Sequence, residues 1–427
     1  MGNGEQTADN QAVSMRVLNF PPDRSIGTLY RYVLYEGKST MRILKEIGPA
    51  CGAVIVPRTQ RLELSLSQDT HDLSPLAALG ANDLYGLSLM GCNYVDDNAL
   101  AGVKHLEGLR RLSLWGTRIM DAALEHAQSL QRLEDIDLAQ TAVDGSGLSY
   151  LSACARLKRI GLQGTSITDS SLAHLASLPR LRDVNLAFTG ITDAALTSVG
   201  RITLLRRLDL NGTHISGTGL TCLQHLPFLQ SLDLDGIPLT DHDLMQVVGP
   251  ASLQRLVMGN ACVVGDGWRW LITLPSLEGL FLFNVTDITA GWPYIRDKPR
   301  LRHLFLEGCH VDGEDLRYVA SMPDLESLDL TGTHHIGRGL AYLRQLESLH
   351  YLSLKRTGTE DADLTHIQQL TALELLDLTE TGVTDVGLPF LYGLERLRVL
   401  NINETSVTSH GINVLQHKLP ECSIYSG

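Results

Sequence analysis

The side chains that most often carry out chemistry are present in this sequence, but they do not form a catalytic pattern. The chain contains no HExxH, GxSxG or GxxxxGKS/T motif and no paired-cysteine zinc spacing. His126, His174 and His366 share one slot of a recurring pattern but lie too far apart along it to share a metal. His334-His335 has no cysteine or carboxylate pattern around it. The sequence therefore predicts no catalytic residues, no cofactor and no metal site.

Charged side chains recur at regular spacing in the first half of the chain. The acidic members are Asp135, Asp137, Asp183, Asp209, Asp233 and Asp235. Basic residues form a band at the edge where the predicted strands begin. They are Arg110, Arg111, Arg132, Arg156, Lys158, Arg159, Arg180, Arg182, Arg206 and Arg207. Two interpretations stay open. The charges neutralise one another in solvent, at about 0–1 kcal/mol per pair, or they form a polar docking strip that steers a partner.

Aromatic residues make up only 5 % of the chain, and their positions are informative. Three of the seven phenylalanines, Phe281, Phe283 and Phe305, fall close together in the repeating pattern. Outward-facing aromatic rings are typical interface anchors, so we expect these three to form a contiguous exposed apolar cluster. The predicted protein-binding residues are Trp115, Asp209, Asp233, Asp235, Phe281, Phe283, His303, Phe305, Glu307 and Tyr351.

The elements that must position these residues are repeats. The pattern L-x-x-(L/I/V)-x-L recurs, and its last apolar residue moves by 24 positions twelve times in succession from Leu114 to Ile402. Alternation in L-x-L predicts a short strand with leucines on one face and variable residues on the other. The candidate residues above fall on the variable face.

The rest of each repeat also has a physical interpretation. Three residues after the strand a threonine recurs, as at Thr165, where a buried hydroxyl can satisfy backbone groups at the bend. Thr-Asp pairs such as Thr168-Asp169 then predict a helix N-terminus. Leucines at a spacing of three predict the apolar face of a two-turn helix. Two departures stand out: Trp268 replaces a helix leucine and is expected in the core, and Lys298 stands in a slot that is usually apolar.

With these motifs, the sequence resembles the leucine-rich repeat proteins and is similar to their cysteine-containing, F-box-associated class. The resemblance implies an α/β fold, a right-handed horseshoe-shaped solenoid with parallel strands on its concave face and short helices on its convex face. We expect a flexible N-terminus over residues 1–17 and an N-terminal cap over 18–60, with a short helix at 39–48 between strand-like stretches. Residues 61–427 then form the solenoid of about 15 repeats plus a closing strand near Ile424.

Composition limits the partners and the compartment. The net charge of −13 argues against a general grip on nucleic-acid phosphates. No apolar run is long enough to span a membrane, and no secretory signal is evident. Seven dispersed cysteines without a CxxC pattern favour reduced thiols, hence the cytoplasm. No small-molecule substrate is evident.

These observations favour a non-enzymatic scaffold that binds a protein or peptide on its concave face. The alternative, implied by the F-box relatives, is the substrate-receptor subunit of a ubiquitin ligase. An F-box needs a helical L-P-x-x-L/I opening, which Pro21-Pro22-Asp23 does not supply. The adaptor would then be separate, or residues 18–60 would serve. A third hypothesis is an enzyme or enzyme activator.

Overall fold

The computed structural model describes residues 14–34 and 42–427. The chain divides into two compact units, of which the first ends at Leu181 and the second runs from Arg182 to Gly427. In each unit short parallel strands form one layer and short helices form the other. Leucine side chains fill the space between the layers; Leu162 and Leu210 are fully buried examples.

The first unit begins with four strands that do not follow the repeat pattern. They are β1 (Met15–Asn19), β2 (Gly27–Leu34), β3 (Arg42–Pro49) and β4 (Ala53–Pro57). β1 and β4 form a separate antiparallel pair. β2 pairs antiparallel with β3 on one side and with β5 (Leu62–Leu66), the first repeat strand, on the other. The N-terminal strands therefore cover the edge at which the repeat sheet begins.

The structure corrects two expectations about this segment. The helix expected over residues 39–48 is wrong for the part that the structure describes, because Arg42–Pro49 is a strand. A helix of about ten residues is marginal in isolation, whereas pairing with β2 satisfies the backbone groups of both strands. Residues 15–17, expected to be flexible, belong to β1, since they pair with residues 55–57 of β4.

The repeat strands pair in parallel, typically with residues 24 positions apart facing each other, as Val184 faces Leu208. In the first unit they are β5, β6 (Gly86–Ser88), β7 (Arg111–Ser113), β8 (Asp135–Asp137) and β9 (Arg159–Gly161). In the second unit they are β10 (Asp183–Asn185), β11 (Arg207–Asp209), β12 (Ser231–Leu234), β13 (Arg255–Gly259), β14 (Gly279–Phe283), β15 (His303–Phe305), β16 (Ser327–Asp329), β17 (Tyr351–Ser353), β18 (Leu375–Asp377), β19 (Val399–Asn401) and β20 (Ser423–Tyr425). β20 contains Ile424, where the sequence predicts a closing strand.

The helices are short, and most are 3₁₀-helices. The α-helices are α1 (Asp97–Leu100), α2 (Leu124–Ala127), α3 (Asp193–Val199), α4 (Asp241–Met245), α5 (Trp292–Arg296), α6 (Leu316–Val319) and α7 (Ser409–Lys418). The 3₁₀-helices are Ser74–Ala78, Ala101–Val103, Asp121–Ala123, Ser146–Ala153, Asp169–Ser177, Gly219–His225, Asp266–Thr273, Thr289–Gly291, Gly337–Gln345, Asp361–His366 and Leu388–Leu391. The leucine spacing of three explains this, since residues i and i+3 eclipse one another in a 3₁₀-helix.

The recurring threonine has the buried hydrogen bond that the sequence predicts. Thr165 is 5 % exposed, and its hydroxyl donates to the carbonyl oxygen of Leu162 at 2.6 Å. Thr333 makes the same bond to Leu330 at 2.6 Å. In the same slot, Cys309 is buried and its thiol donates to the carbonyl of Leu282. One side-chain bond thus stabilises the bend after the strand in both units.

The aspartate of the Thr-Asp pair has a larger role than capping its own helix. The carboxylate of Asp385 accepts the backbone N–H of Thr408 at 2.8 Å, in the next repeat. Gly411 lies against the same carboxylate, and a Cβ there would stand 2.2 Å from Oδ1. Asp193 likewise accepts the backbone N–H of Ser216 at 2.7 Å. These aspartates therefore join consecutive repeats, and the glycine leaves room for the carboxylate.

Candidate protein-interaction surface

We call the side of the parallel sheet that faces away from the helices the strand face. Alternation along each strand decides which side chains reach it. In β15, Leu304 is buried beneath the sheet, while His303 and Phe305 are half-buried on the strand face. The predicted site residues of the second unit lie on this face or directly after its strands.

Three aromatic rings of the second unit stack across neighbouring strands, and we call them the aromatic ladder. Phe281 and Phe305 face each other in the β14–β15 register, and their ring centroids are 4.8 Å apart with an interplanar angle of 30°. The centroids of Phe305 and Tyr351 are 5.7 Å apart at 18°. Tyr351 lies on β17 and faces Ser327 of β16 in the strand register, so its ring reaches Phe305 of β15 across β16. Offset stacks at such distances are favourable.

A cation and a glycine fix the first ring of the ladder. The guanidinium of Arg255 lies over the Phe281 ring, 4.4 Å from its centroid, in a cation–π contact. Gly279 leaves the space that this ring occupies, because a Cβ there would stand 2.8 Å from Cε2 of Phe281. The ring therefore lies over its own strand between Arg255 and Phe305.

The other end of the ladder is held by a hydrogen bond. The Tyr351 hydroxyl donates to Oδ2 of Asp329 at 3.1 Å, and Oδ1 of Asp329 accepts the backbone N–H of Thr331 at 2.8 Å. Burial, together with the neighbouring Asp329 carboxylate, raises the pKa of Tyr351 above its ordinary value. Tyr351 is therefore a neutral donor at physiological pH.

The remaining residues of this group surround the ladder. His303 is half-buried, and its Nδ1 lies 3.1 Å from the hydroxyl of Ser327. Phe283 is half-buried on β14, and Glu307 is exposed after β15. The expectation of a fully exposed apolar cluster is wrong, because the rings of Phe281 and Phe305 cover each other and Arg255 covers Phe281. One face of the ladder is packed, and the rest stays accessible.

Asp209 lies on β11, Asp233 lies on β12, and Asp235 directly follows β12, so these aspartates lie two to three strands before the ladder. One oxygen of Asp209 accepts the backbone N–H of Asn211 at 3.1 Å, and one oxygen of Asp233 accepts that of Asp235 at 3.1 Å. The same bond from position i to i+2 recurs at Asp329 and Asp377. These aspartates therefore have a structural task at the end of the strand, which the sequence interpretation did not include.

The three carboxylates nevertheless form no close ion pair, although the charge of Arg255 lowers the pKa of Asp209 and Asp233. Burial is the main cause that raises the pKa of Asp209 and of Asp233, and the neighbouring Asp235 raises both further. Among the ion pairs of the described residues, none within 4 Å includes Asp209, Asp233 or Asp235. This part of the strand face is therefore electronegative.

The strand face of the first unit differs, because its charges are paired. Arg111 lies 3.5 Å from Glu63 and 3.3 Å from Asp135, and Asp135 also contacts Arg159 at 2.7 Å. Glu134 pairs with Lys158 at 2.7 Å and also with Arg110. Of the two interpretations of the charge pattern, neutralisation describes the first unit.

Trp115 is the one predicted site residue in the first unit. It is 40 % exposed and follows β7. The backbone N–H of Gly91 donates to its carbonyl at 2.8 Å, so Trp115 ends its strand beside Met90, which is 52 % exposed. Trp115 and Met90 are thus exposed apolar residues at the ends of neighbouring strands.

Phe188 is a candidate that sequence reasoning missed. It follows β10, is 57 % exposed and has a φ of +54°. Other repeats place glycine, asparagine or a long polar residue at this left-handed position, as at Gly212, Asn284 and Glu380. An aromatic residue in a slot that the other repeats fill with glycine or polar side chains was the available signal, because a bulky apolar residue at positive φ is uncommon.

The comparisons with known proteins give the family. The family model described as "Leucine-rich repeat region" matches residues 82–340, which is more than half of the chain. The chain belongs to the leucine-rich repeat family. Each unit is accordingly a right-handed leucine-rich repeat solenoid of the α/β class, and proteins of this family generally act as interaction scaffolds. The curated proteins include no match to this sequence.

Solved structures share the leucine-rich repeat fold at low sequence identity. A leucine-rich repeat protein of Leptospira interrogans is 16 % identical, with a TM-score of 0.54 over 83 % of this chain and 99 % of that one. TLR13, solved in a complex with ssRNA13, is 18 % identical, with a TM-score of 0.57 over 83 % and 60 %. RP105 from mouse, solved with MD-1, is 17 % identical, with a TM-score of 0.52 over 83 % and 67 %.

The remaining features of the described residues concern metal sites and membrane spans, and two unusual residues of the repeats have a structural place. In the described ranges, no three His, Cys, Asp or Glu side chains are grouped so that they could hold a metal ion. Within the same ranges, no helix has the length and apolar character needed to cross a membrane. Lys298, the polar residue in an apolar slot, is buried, and its ammonium donates to the carbonyl oxygens of Leu271 and, at 3.5 Å, Leu274. It is a structural residue, as is the buried Trp268.

Proposed function

We propose that this protein is a non-enzymatic scaffold that binds a protein or peptide partner on the strand face of its second unit, the face that is concave in this family. The observation that carries the proposal is the aromatic ladder. Phe281, Phe305 and Tyr351 stack across β14 to β17 on the strand face, and all three remain only half-buried. The leucines beneath the sheet supply the core without them.

The energetics support an interface. A half-buried ring retains apolar surface in water, and burial of that surface by a partner is favourable by about 25 cal/mol per Å². Stacking and the contact with Arg255 hold the rings in place before binding. The partner then meets an ordered surface, and less side-chain entropy is lost on association.

The charge of the same face supports a protein partner over a nucleic acid. Asp209, Asp233 and Asp235 lie two to three strands before the ladder, and burial together with their mutual repulsion raises the pKa of Asp209 and Asp233; phosphates would be repelled there. RNA is the ligand named with TLR13, which is 18 % identical to this chain and shares its fold. A protein segment with basic side chains meets no such repulsion.

The second hypothesis from the sequence was the substrate receptor of a ubiquitin ligase. An F-box requires helices, whereas the described residues between Met15 and Pro57 form the strands β1 to β4. No observation favours this function over a general scaffold.

A reducing compartment, such as the cytoplasm, fits the proposed scaffold. Cys51, Cys92, Cys154, Cys222, Cys262, Cys309 and Cys422 are all unpaired. Burial raises the pKa of the Cys154 thiol to about 11, so it is protonated and unreactive at neutral pH.

The test is affinity capture from extracts of the source cells with the intact chain immobilised. We expect at least one protein to be retained by the wild type and reduced at least tenfold by the Phe281→Ala/Phe305→Ala double variant. The matched control is Val248→Ala/Ile272→Ala, which removes two side chains that are 58 % and 63 % exposed outside the strand face. The control should capture the same proteins as the wild type. Identical capture by the ladder variant, with its fold intact by circular dichroism, would contradict the proposal.

A further inference from the structure

The strand face of the second unit has aromatic rings on both sides of its unpaired carboxylates. Phe188 follows β10, and Phe281 and Phe283 lie on β14. Between them, Asp209 lies on β11, Asp233 lies on β12, and Asp235 directly follows β12. We propose that this surface recognises an extended protein segment in which a lysine or arginine is flanked on both sides by a large apolar side chain. The inference rests on the proposed function and names the class of partner.

Phe188 provides the first apolar contact. Its ring lies over Gly212, where a Cβ would stand only 2.7 Å from Cδ1, and its backbone N–H donates to the carbonyl of Asn211 at 2.7 Å. Its position is therefore fixed by the glycine of the next repeat, yet more than half of its surface is exposed. An aromatic ring held outward at a strained φ contributes nothing to the core and is available to a partner.

The carboxylates provide the contact for the basic side chain. Asp209 and Asp233 each use one oxygen for a backbone N–H, which leaves the second oxygen for a ligand. Arg207 pairs with Asp183. Arg255 lies over the ring of Phe281, and its charge lowers the pKa of Asp209 and Asp233 without an ion pair within 4 Å to either. A cationic side chain from a partner would supply the charge that this face lacks.

Phe283 offers an apolar surface beside these carboxylates for the stem of such a side chain. Gly259 follows Asp235 in the next repeat, and its missing Cβ would stand 1.8 Å from Oδ1 of Asp235 and 3.3 Å from Cβ of Phe283. The carboxylate of Asp235 therefore occupies the space over Gly259, next to Phe283. The aliphatic stem of a lysine or arginine can lie against Phe283 while its charged end reaches Asp235.

The strand spacing sets the spacing of the motif. Adjacent strands lie about 4.8 Å apart, so β10 and β14 are separated by ~19 Å. An extended segment advances about 3.3 Å per residue, so its two apolar side chains stand about six residues apart. Side chains of an extended segment alternate between two faces, so the basic residue must stand an even number of positions from both apolar residues. Two positions from the residue at Phe188 place it between β11 and β12, beside Asp209 and Asp233. The expected pattern is apolar, one spacer, lysine or arginine, three spacers, apolar, in either chain direction.

The test is selection of phage-displayed random 16-residue peptides on the intact chain, followed by affinity measurement with the most enriched peptide. We expect the enriched sequences to contain this pattern. Asp233→Asn/Asp235→Asn and Phe188→Ala should each weaken the peptide at least tenfold. Asparagine at position 233 retains an oxygen that can accept the backbone N–H of Asp235. The matched controls are Asp377→Asn, whose carboxylate accepts the backbone N–H of Thr379 in the same way, and Phe228→Ala, which is 53 % exposed elsewhere.

The outcomes separate this inference from the proposed function. Enriched peptides that lack a basic residue, or that bind the Asp233→Asn/Asp235→Asn variant unchanged, would overturn the inference while the proposed function stands if Phe281→Ala/Phe305→Ala still abolishes binding. Peptides unaffected by Phe281→Ala/Phe305→Ala, or no enrichment, would count against both. Tight binding of a 20-nucleotide poly-uridine probe at this face, or self-association lost with Phe188→Ala, would assign it to another partner and overturn the inference.

Discussion

The two units use the same repeat but differ in what they place on the strand face. In the first unit Glu63, Arg111 and Asp135 form a connected set of ion pairs. In the second unit Asp209 and Asp233 form no ion pair within 4 Å, burial raises the pKa of both, and Phe281 stacks on Phe305. The difference teaches that the core leaves the strand face free to vary. A face whose groups satisfy one another is structural, whereas one with unsatisfied groups is suited to binding.

The largest expected effect tests the structural character of the first unit. Arg111→Ala removes the cation that contacts Glu63, Asp135 and the hydroxyl of Tyr32. Glu63 is only 9 % exposed, and an unpaired carboxylate in such a place is costly, so we expect a loss of about 3 kcal/mol in the free energy of unfolding. Urea denaturation followed by circular dichroism measures it.

The matched substitution in the second unit is Arg207→Ala. Arg207 is 68 % exposed in its pair with Asp183, so we expect a loss of at most about 1 kcal/mol. Equal losses for Arg111→Ala and Arg207→Ala would remove the distinction between the two faces.

The next effect tests what the two units share. Thr165→Val in the first unit and Thr333→Val in the second each delete a buried hydroxyl that donates to a carbonyl at 2.6 Å. Each substitution should cost about 2 kcal/mol, because a buried carbonyl loses its partner. The two losses should agree, as measured by urea denaturation. An unchanged midpoint in either variant would show that this bond does not stabilise the bend.

The shared scaffold is also the part that the sequence predicts best. The threonine bond and the strands follow from a pattern that recurs every 24 residues, so local noise averages out. β3 was mispredicted as a helix because its conformation depends on pairing with β2, and no repeat guides the prediction there. For the same reason the N-terminal strands are the least predictable part of the fold.

The sequence predicted which residues lie on the strand face, but it did not predict the contacts that they make there. Alternation placed Phe281 and Phe305 side by side, but their partial burial depends on the cation of Arg255 and the space at Gly279. Asp209 was predicted to contact a partner. The hydrogen bond that its carboxylate accepts from the backbone N–H of Asn211 was not predicted. Both features depend on side-chain geometry between repeats, which a one-dimensional pattern does not contain.

A smaller effect concerns the middle ring of the aromatic ladder. Phe305→Ala removes stacks on Phe281 and Tyr351, and we expect a loss of about 1 kcal/mol in unfolding free energy together with at least tenfold weaker partner binding. Phe305→Leu is the control, since it keeps apolar bulk without the stack and should recover part of the stability. A loss above about 3 kcal/mol with unchanged binding would make the ladder a core element rather than a binding surface.

The smallest expected effect comes from the pKa shifts of two carboxyl groups, Asp233 and Glu134, which have opposite signs. Burial raises the pKa of Asp233, so the folded state binds protons more tightly than the unfolded state. Its stabilising contribution is complete below the ordinary value of 3.8 and is lost as the pH rises through the folded pKa. Burial also acts on Glu134, but hydrogen bonds from Lys158 and Arg110 outweigh it and lower the pKa. That contribution is present above the ordinary value of 4.5 and is lost as the pH falls through the folded pKa.

Neutral variants of these two carboxyl groups should therefore move stability in opposite directions at pH 7. Asp233→Asn keeps an oxygen for the backbone N–H of Asp235 and removes a charge that burial and the nearby Asp235 disfavour, so the free energy of unfolding should rise by about 0.3 kcal/mol. Glu134→Gln gives up two charge-assisted bonds and should lower it by about 0.5 kcal/mol, the size expected for a pair on the surface. Both differences should shrink towards zero at pH 3, where the wild-type carboxyls become protonated. Urea titrations of both variants and the wild type at the two pH values measure them. If both variants shift stability in the same direction at pH 7, the proposed electrostatic difference between the two strand faces is wrong. The carboxylates of the second unit would then be stabilised by their neighbours, as those of the first unit are.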